Sequence, residues 1–163
     1  MVLRLFDKWQ GQSLDGIIAE CRELVEDAEF PTVKRWREGG GKVLGHFQVY
    51  FPEEIVHAAG MLPVGVVGGG DRLEIIRGDA CFQSYICRIP RSTIELALSH
   101  RLDVLEGMLF PSICDVIRNL SGMWTMLFPD RYVRYVDVPQ NYDPSVGGVY
   151  WRRELDILRE DLG

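Results

Sequence analysis

The sequence predicts an α/β fold: an open, doubly wound (Rossmann- or flavodoxin-like), mostly parallel sheet of about four strands, preceded by N-terminal helices. Three observations predict it. From residue 42 onward, apolar runs of strand length alternate with segments of helical period. Pro and Gly punctuate the boundaries between them. Each link between successive apolar runs contains a helical segment, as a crossover between parallel strands requires. The 163 residues make one ordinary domain, large enough to bury a core.

The elements follow in order. Residues 13–28 form an amphipathic helix with Ser13 as its N-cap, and Ile17, Ile18, Cys21 and Val25 along one stripe. That stripe makes Cys21 a packed core thiol. Pro31 starts a short second helix, which the glycines at 39–41 end. Together these make an N-terminal helical segment, 1–41, ahead of an α/β domain, 42–163. KVLGHFQVY (42–50) reads as a buried strand. PEEIVHAAG (52–60) reads as a helix with Pro52 in its first turn and Gly60 as its stop. LPVGVVGG (62–69) is a second strand. A long helical stretch covers about 79–99, interrupted by Pro90. The run 104–111 holds a third strand, 112–128 a helix, 131–140 a fourth strand, and 148–161 a charged final helix.

Composition excludes some classes. A net charge of −6 weighs against nucleic-acid binding, which rests on Lys and Arg neutralising phosphates. No apolar run approaches the roughly 20 residues that span a bilayer. The start, MVLRLFDKWQGQ, lacks the apolar core of a signal peptide. A cytoplasmic location is therefore expected. In a reducing compartment, the four cysteines are free thiols or metal ligands rather than disulfides.

In an open parallel sheet, ligands bind beyond the carboxyl ends of the strands. Glu54, Cys114, the loop after Val138 and the turn GGGD (68–71) all follow a strand end, while Cys87 lies in the helical stretch 79–99. Cys87 is followed by Arg88 and Arg91, whose charge favours a thiolate, and by Pro90, which kinks or ends the helix and frees carbonyls near the thiol. Cys114 follows Pro111 in the first turn of its helix, where helix polarity favours a metal-bound thiolate. Asp115 beside it can cap the helix or accept a hydrogen bond. Cys81, six residues from Cys87 in the same helical stretch, points to a different face. Glu53 and Glu54 open a helix, where carboxylates suit the dipole. Glu54 and His57 share a face and can transfer a proton, or simply stabilise the helix. His46 in the first strand is structural or faces the same cleft. GVVGGGD (65–71) lacks phosphate-loop spacing and is either a flexible connection or a backbone-lined anion site. VPQN (138–141) either offers two amides at the binding edge or is simply a turn. Met123, Trp124 and Met126 read as core.

Read together, FPEEIVHAAGMLPVGV, QSYICRIPRS, FPSICDVIRNLSGMW and YVDVPQN, in this order and spacing, resemble the 2-hydroxyacyl-CoA dehydratase and benzoyl-CoA reductase family. The resemblance covers about residues 14–163 and lies closest to the reductase branch. It implies a 4Fe–4S cluster held by three cysteines per subunit, of which Cys87 and Cys114 match two. Glu54 matches a glutamate at the active site of the dehydratase branch. The resemblance also implies an acyl-CoA substrate, a paralogous partner subunit, and an ATP-hydrolysing iron–sulfur activator that delivers single electrons at low potential. Arg88 and Arg91 are then candidates to meet thiolate charge or a CoA phosphate. Family subunits are more than twice as long, and the third cluster cysteine lies in the half absent from this sequence. The chain taken alone is therefore expected to hold no stable cluster. The dehydratase chemistry and a non-catalytic scaffold or electron-relay role are the alternatives.

Overall fold

Strands form where apolar side chains can be buried on both faces, and four such runs pair in one direction here. A computed structural model describes residues 9–26, 29–71 and 73–163. The strands are β1 (Lys42–His46), β2 (Met61–Gly65), β3 (Gly107–Pro111) and β4 (Tyr132–Val136). Their spatial order is β2-β1-β3-β4, every pairing parallel. The order reverses between β1 and β3, so the switch point lies beyond the ends of those two strands.

The helices are α1 (Leu14–Glu26), α2 (Pro31–Glu38), α3 (Glu53–Ala58), α4 (Arg77–Ala80), α5 (Arg88–Leu98), α6 (Asp115–Leu127) and α7 (Val149–Leu162). A π-helical turn, Pro144–Gly148, leads into α7. They cover both faces of the sheet, as a doubly wound fold requires. On one face Val43, Phe47, Met108 and Phe110 pack against Val33 of α2, Ile94 of α5, and Ile117, Leu120 and Trp124 of α6. On the other, Leu44 and Leu109 meet Val56 of α3 and Leu158 of α7. The alternation of Val43 and Leu44, and of Leu109 and Phe110, follows from the two-residue strand period.

Several boundaries differ from the sequence reading. β1 ends at His46, and the chain then passes through a cis Gln48–Val49 peptide and a left-handed Tyr50. The expected helix over 79–99 is two helices, α4 and α5, separated by non-helical residues 81–87. Pro90 does not kink a helix. It lies in the first turn of α5, where no intrahelical N–H is needed. Ser13 does cap α1, its Oγ accepting from the Gly16 N–H at 3.2 Å. Yet the stripe of α1 is not core: Leu14, Ile18 and Val25 are exposed and Cys21 is only half-buried. The two C-terminal residues of the expected first helix, 27 and 28, lie outside the described residues. Trp124 is core, whereas Met126 is exposed. Among the described residues no helix is long and apolar enough to cross a membrane.

Candidate functional site

The two cysteines singled out by sequence occupy the same kind of position. Cys87 occupies the N-cap position of α5 and Cys114 that of α6, and neither thiol makes a cap hydrogen bond. Both thiols are free and exposed. A helix N-terminus presents N–H groups with no intrahelical partner. The helices α5 and α6 lie side by side on one face of the sheet. Both start at its carboxyl edge. Cys114 comes three residues after the end of β3. The start of α5 touches the residues after β2, with Gly69 N–H donating to Ser92 Oγ at 3.3 Å. The structure therefore brings Cys87 and Cys114 to one edge and one face.

Around Cys114 is a polar pocket of about 210 Å³, lined also by Asp115, Arg118, Tyr135, Asp137 and Gln140. Arg118, one turn on from Cys114, stacks over the Tyr135 ring and donates to its hydroxyl at 3.3 Å. Asp137 accepts from Tyr150 Oη at 2.9 Å. The backbone here is tied to the sheet. Ser112 N–H donates to Val136 O, and Val138 N–H donates to Ser112 Oγ at 2.7 Å. Val138 and Gln140 line the pocket, while Asn141 makes an Asx turn by accepting from Asp143 N–H. Both readings of VPQN thus apply, to different residues.

Around Cys87 the backbone is held by side chains. Arg88 donates to Gly70 O and, at 2.5 Å, to Leu73 O. Arg91 pairs with Asp79 and donates to Ile86 O. The two arginines expected to meet an anionic ligand are thus engaged with the loop itself. So is the glycine run. Gly68 takes φ +87°, and a Cβ there would overlap Ser92 Oγ, so the chain can pass α5 only as glycine. Glu95 is a residue that sequence reasoning misses. Its carboxylate, 8% exposed, accepts from the N–H groups of Ile76, Arg77 and Gly78 at 2.8, 2.6 and 2.9 Å. Burial opposes its ionisation, but the three backbone donors and the Arg77 charge outweigh burial and hold its carboxyl below the ordinary value. The available signal is an acidic residue inside the buried run STIELAL.

Glu54 and His57 lie on α3, against the opposite face, and both are exposed. Glu54 lines a groove of about 540 Å³ with Ile55, Ala58, Arg159 and Leu162, separate from the pocket at Cys114. Glu53, rather than Glu54, meets His46: its Oε1 is 3.2 Å from Nε2, without hydrogen-bond geometry. His46 is buried and stacked on Phe51. Burial pushes its imidazole pKa down, against opposing contributions from the Phe47 carbonyl and Glu53. Cys81 caps the end of α4 and its thiol faces Arg77 O at 3.6 Å. Among the described residues, no group of three or more His, Cys, Asp or Glu side chains forms a metal site.

The fold is thus a parallel α/β domain with two exposed thiols at the N-cap positions of neighbouring helices. Residues 48–163 match the family of the 2-hydroxyglutaryl-CoA dehydratase D-component, and the chain belongs to that family. It is 63% identical, over 92% of its length, to a benzoyl-CoA reductase subunit of Thauera aromatica. It is 30% identical over 91% to an (R)-phenyllactyl-CoA dehydratase beta subunit of Clostridium sporogenes. It is 32% identical over 79% to an (R)-2-hydroxyglutaryl-CoA dehydratase beta subunit of Acidaminococcus fermentans. The chain spans 35–39% of the length of these relatives.

Proposed function

We propose that this chain is part of a subunit of an ATP-dependent benzoyl-CoA reductase, and that Cys87 and Cys114 are two ligands of a 4Fe–4S cluster. The observation that carries the reading is the 63% identity to a reductase subunit, roughly twice the identity to either dehydratase subunit. The donor chemistry fits the group: two free, exposed thiols at adjacent helix N-termini on one edge. Soft thiolates are what such clusters take. When bound, the cluster supplies one-electron transfer.

This chain's own residues then act around it. The N–H groups that open α5 and α6 lie next to the two thiols, and such polar surroundings tune a cluster's potential. Arg118 places a positive charge one turn beyond Cys114. Val49, Tyr50, Val67, Ile89 and Ile113, all near strand ends or the two cysteines, are exposed. Apolar side chains gathered on the site edge suit a surface covered by more protein. The remaining ligand, the acyl-CoA contacts, the paralogous subunit and the iron–sulfur ATPase belong to that larger assembly.

The second reading, dehydration of a 2-hydroxyacyl-CoA, is favoured by the two dehydratase relatives. Turnover by the purified complex decides. With ATP and a strong reductant, the reductase reading predicts consumption of benzoyl-CoA to a cyclic diene and no elimination of water from 2-hydroxyacyl-CoA. The opposite pattern overturns it. If the paralogous subunit alone is labelled by a photoactivatable CoA ester, the chain is an electron relay rather than a substrate-binding subunit.

A further inference from the structure

We propose that Glu95 is a positioning residue for Cys87: its buried carboxylate fastens the loop that carries the thiol to the helix at whose N-terminus the thiol sits. Between the end of β2 and Cys87 the chain runs through 21 residues, and among those described only α4 is regular structure. Such a loop has no sheet to define it. A cap on α4 from its own neighbourhood is missing, since Ile76 occupies the N-cap and has no side-chain hydrogen bond to offer. Glu95 takes over that role from two turns along α5, satisfying three successive backbone donors with one carboxylate.

A buried carboxylate is costly unless several donors meet it, and charge-assisted bonds to backbone N–H groups are the strong kind. Three of them explain why an acid is tolerated in an otherwise apolar stretch of α5. The rest of the contact is shaped to the same end. A Cβ on Gly78 would overlap the Arg91 carbonyl oxygen, so glycine lets α4 lie directly against α5. Arg77 donates to Leu98 O at 2.7 Å, and the Arg88 and Arg91 contacts fasten the loop on either side of α4. Glu95 is the buried centre of that set. The contacts fix where α4 sits, and α4 with residues 81–86 delivers Cys87 to the start of α5. The consequence for a cluster rests on Cys87 being one of its ligands; the fastening of the loop does not.

The test measures position, without iron. In the 163-residue chain with Cys21→Ser and Cys81→Ser, nitroxide labels are placed on Cys87 and on Glu160→Cys of α7, with Cys114→Ser. A second set labels Cys114 and Glu160→Cys, with Cys87→Ser. Electron–electron double resonance gives the distance distribution of each pair. Glu95→Gln is expected to widen the Cys87 distribution at least about twofold while the Cys114 distribution keeps its width, because the loop opens locally and the sheet does not. The amides of Ile76, Arg77 and Gly78 lose hydrogen-exchange protection in the same variant. An unchanged Cys87 distribution overturns the proposal. So does equal widening of both pairs, which makes Glu95 a general stability residue. If Glu95→Gln does not fold, Glu95→Asp, which keeps the charge but draws it back by one methylene, must show the same asymmetry to a smaller extent, and symmetric widening there overturns the proposal too. Iron in the wild-type complex is scored separately: its absence sinks the cluster reading and leaves the positional result standing.

Discussion

Cys87 and Cys114 occupy equivalent places, each an N-cap on the same face of the sheet, but they are held there by different means. Cys114 is three residues beyond β3, and its neighbour Ser112 extends the pairing with β4. Cys87 is reached through a long loop that Glu95, Arg88, Arg91 and Ser92 fasten to α5. One thiol is positioned by the backbone ladder and the other by a set of side chains. The difference sets where each side fails first. The Cys114 side should move only when the sheet is disturbed, and the Cys87 side whenever one clamp is released.

The strongest disturbance of the sheet side is Phe110→Ala. Phe110 is fully buried between Phe47 and Trp124. Truncating it should cost about 3–5 kcal/mol in urea unfolding. It should widen the Cys114 distance distribution together with that of Cys87, since α5 rests on the same core. If only Cys87 responds, the sheet is not what holds Cys114.

A more local disturbance is Ser112→Ala. It leaves Val138 N–H without its 2.7 Å acceptor, an expected loss of about 1–3 kcal/mol. Alkylation of Cys114 by iodoacetamide should change, and that of Cys87 should not. Equal change at both thiols would erase the distinction.

Acid separates the two sides of the molecule by pH window. His46 has a folded pKa below its unfolded value, so the unfolded chain binds the proton first. Its contribution is therefore present above about pH 6.5 and falls as pH drops below that. Glu95 has a folded pKa below the ordinary value of about 4.3. Its contribution is present above that value and is lost as pH falls through the lower, folded one. Between about pH 6 and pH 5, a window lying between those two reference values, overall stability should decline while exchange protection of Ile76, Arg77 and Gly78 holds. Loss of that protection in the same window would mean the clamp does not depend on the Glu95 charge.

The smallest effect expected is that of Asp79→Asn. The Asp79–Arg91 pair is partly exposed, and such pairs contribute at most about 1 kcal/mol. Stability should barely move, and the Cys87 distribution should widen less than in Glu95→Gln. A larger effect than that of Glu95→Gln would shift the centre of the clamp to Arg91.

The contrast between the two cysteines also marks what the sequence could reveal. The strand, proline and thiol of FPSICD place Cys114 at a strand-to-helix junction by local rules, although the helix starts at Asp115, so that Cys114 is at its N-cap and not in its first turn. Cys87 reads as part of a helix running through Pro90, since Pro in a first turn and Pro in a helix interior look alike until the start of α5 is known. The true start depends on α4 folding back on α5, a contact between residues 17–19 apart that no periodicity records. Helix α1 departs from expectation for a related reason. Its apolar stripe is real, but amphipathicity does not say what lies opposite, and most of it is exposed here. The Glu54 and His57 pair shares a helix, yet Glu54 lines a groove of its own, because the crossover from β1 to β2 covers one face of the sheet and the two later crossovers cover the other.

The most direct measurement is the iron content of the assembled enzyme complex, purified anaerobically with the full-length subunit carrying Cys87→Ser, Cys114→Ser, or both. If the two thiols hold one cluster, each single variant loses the iron of that cluster, about four atoms per subunit, and the double variant loses no more. The electron paramagnetic resonance signal of the reduced cluster should disappear in step. Wild-type iron and an unchanged signal in either single variant would contradict the account.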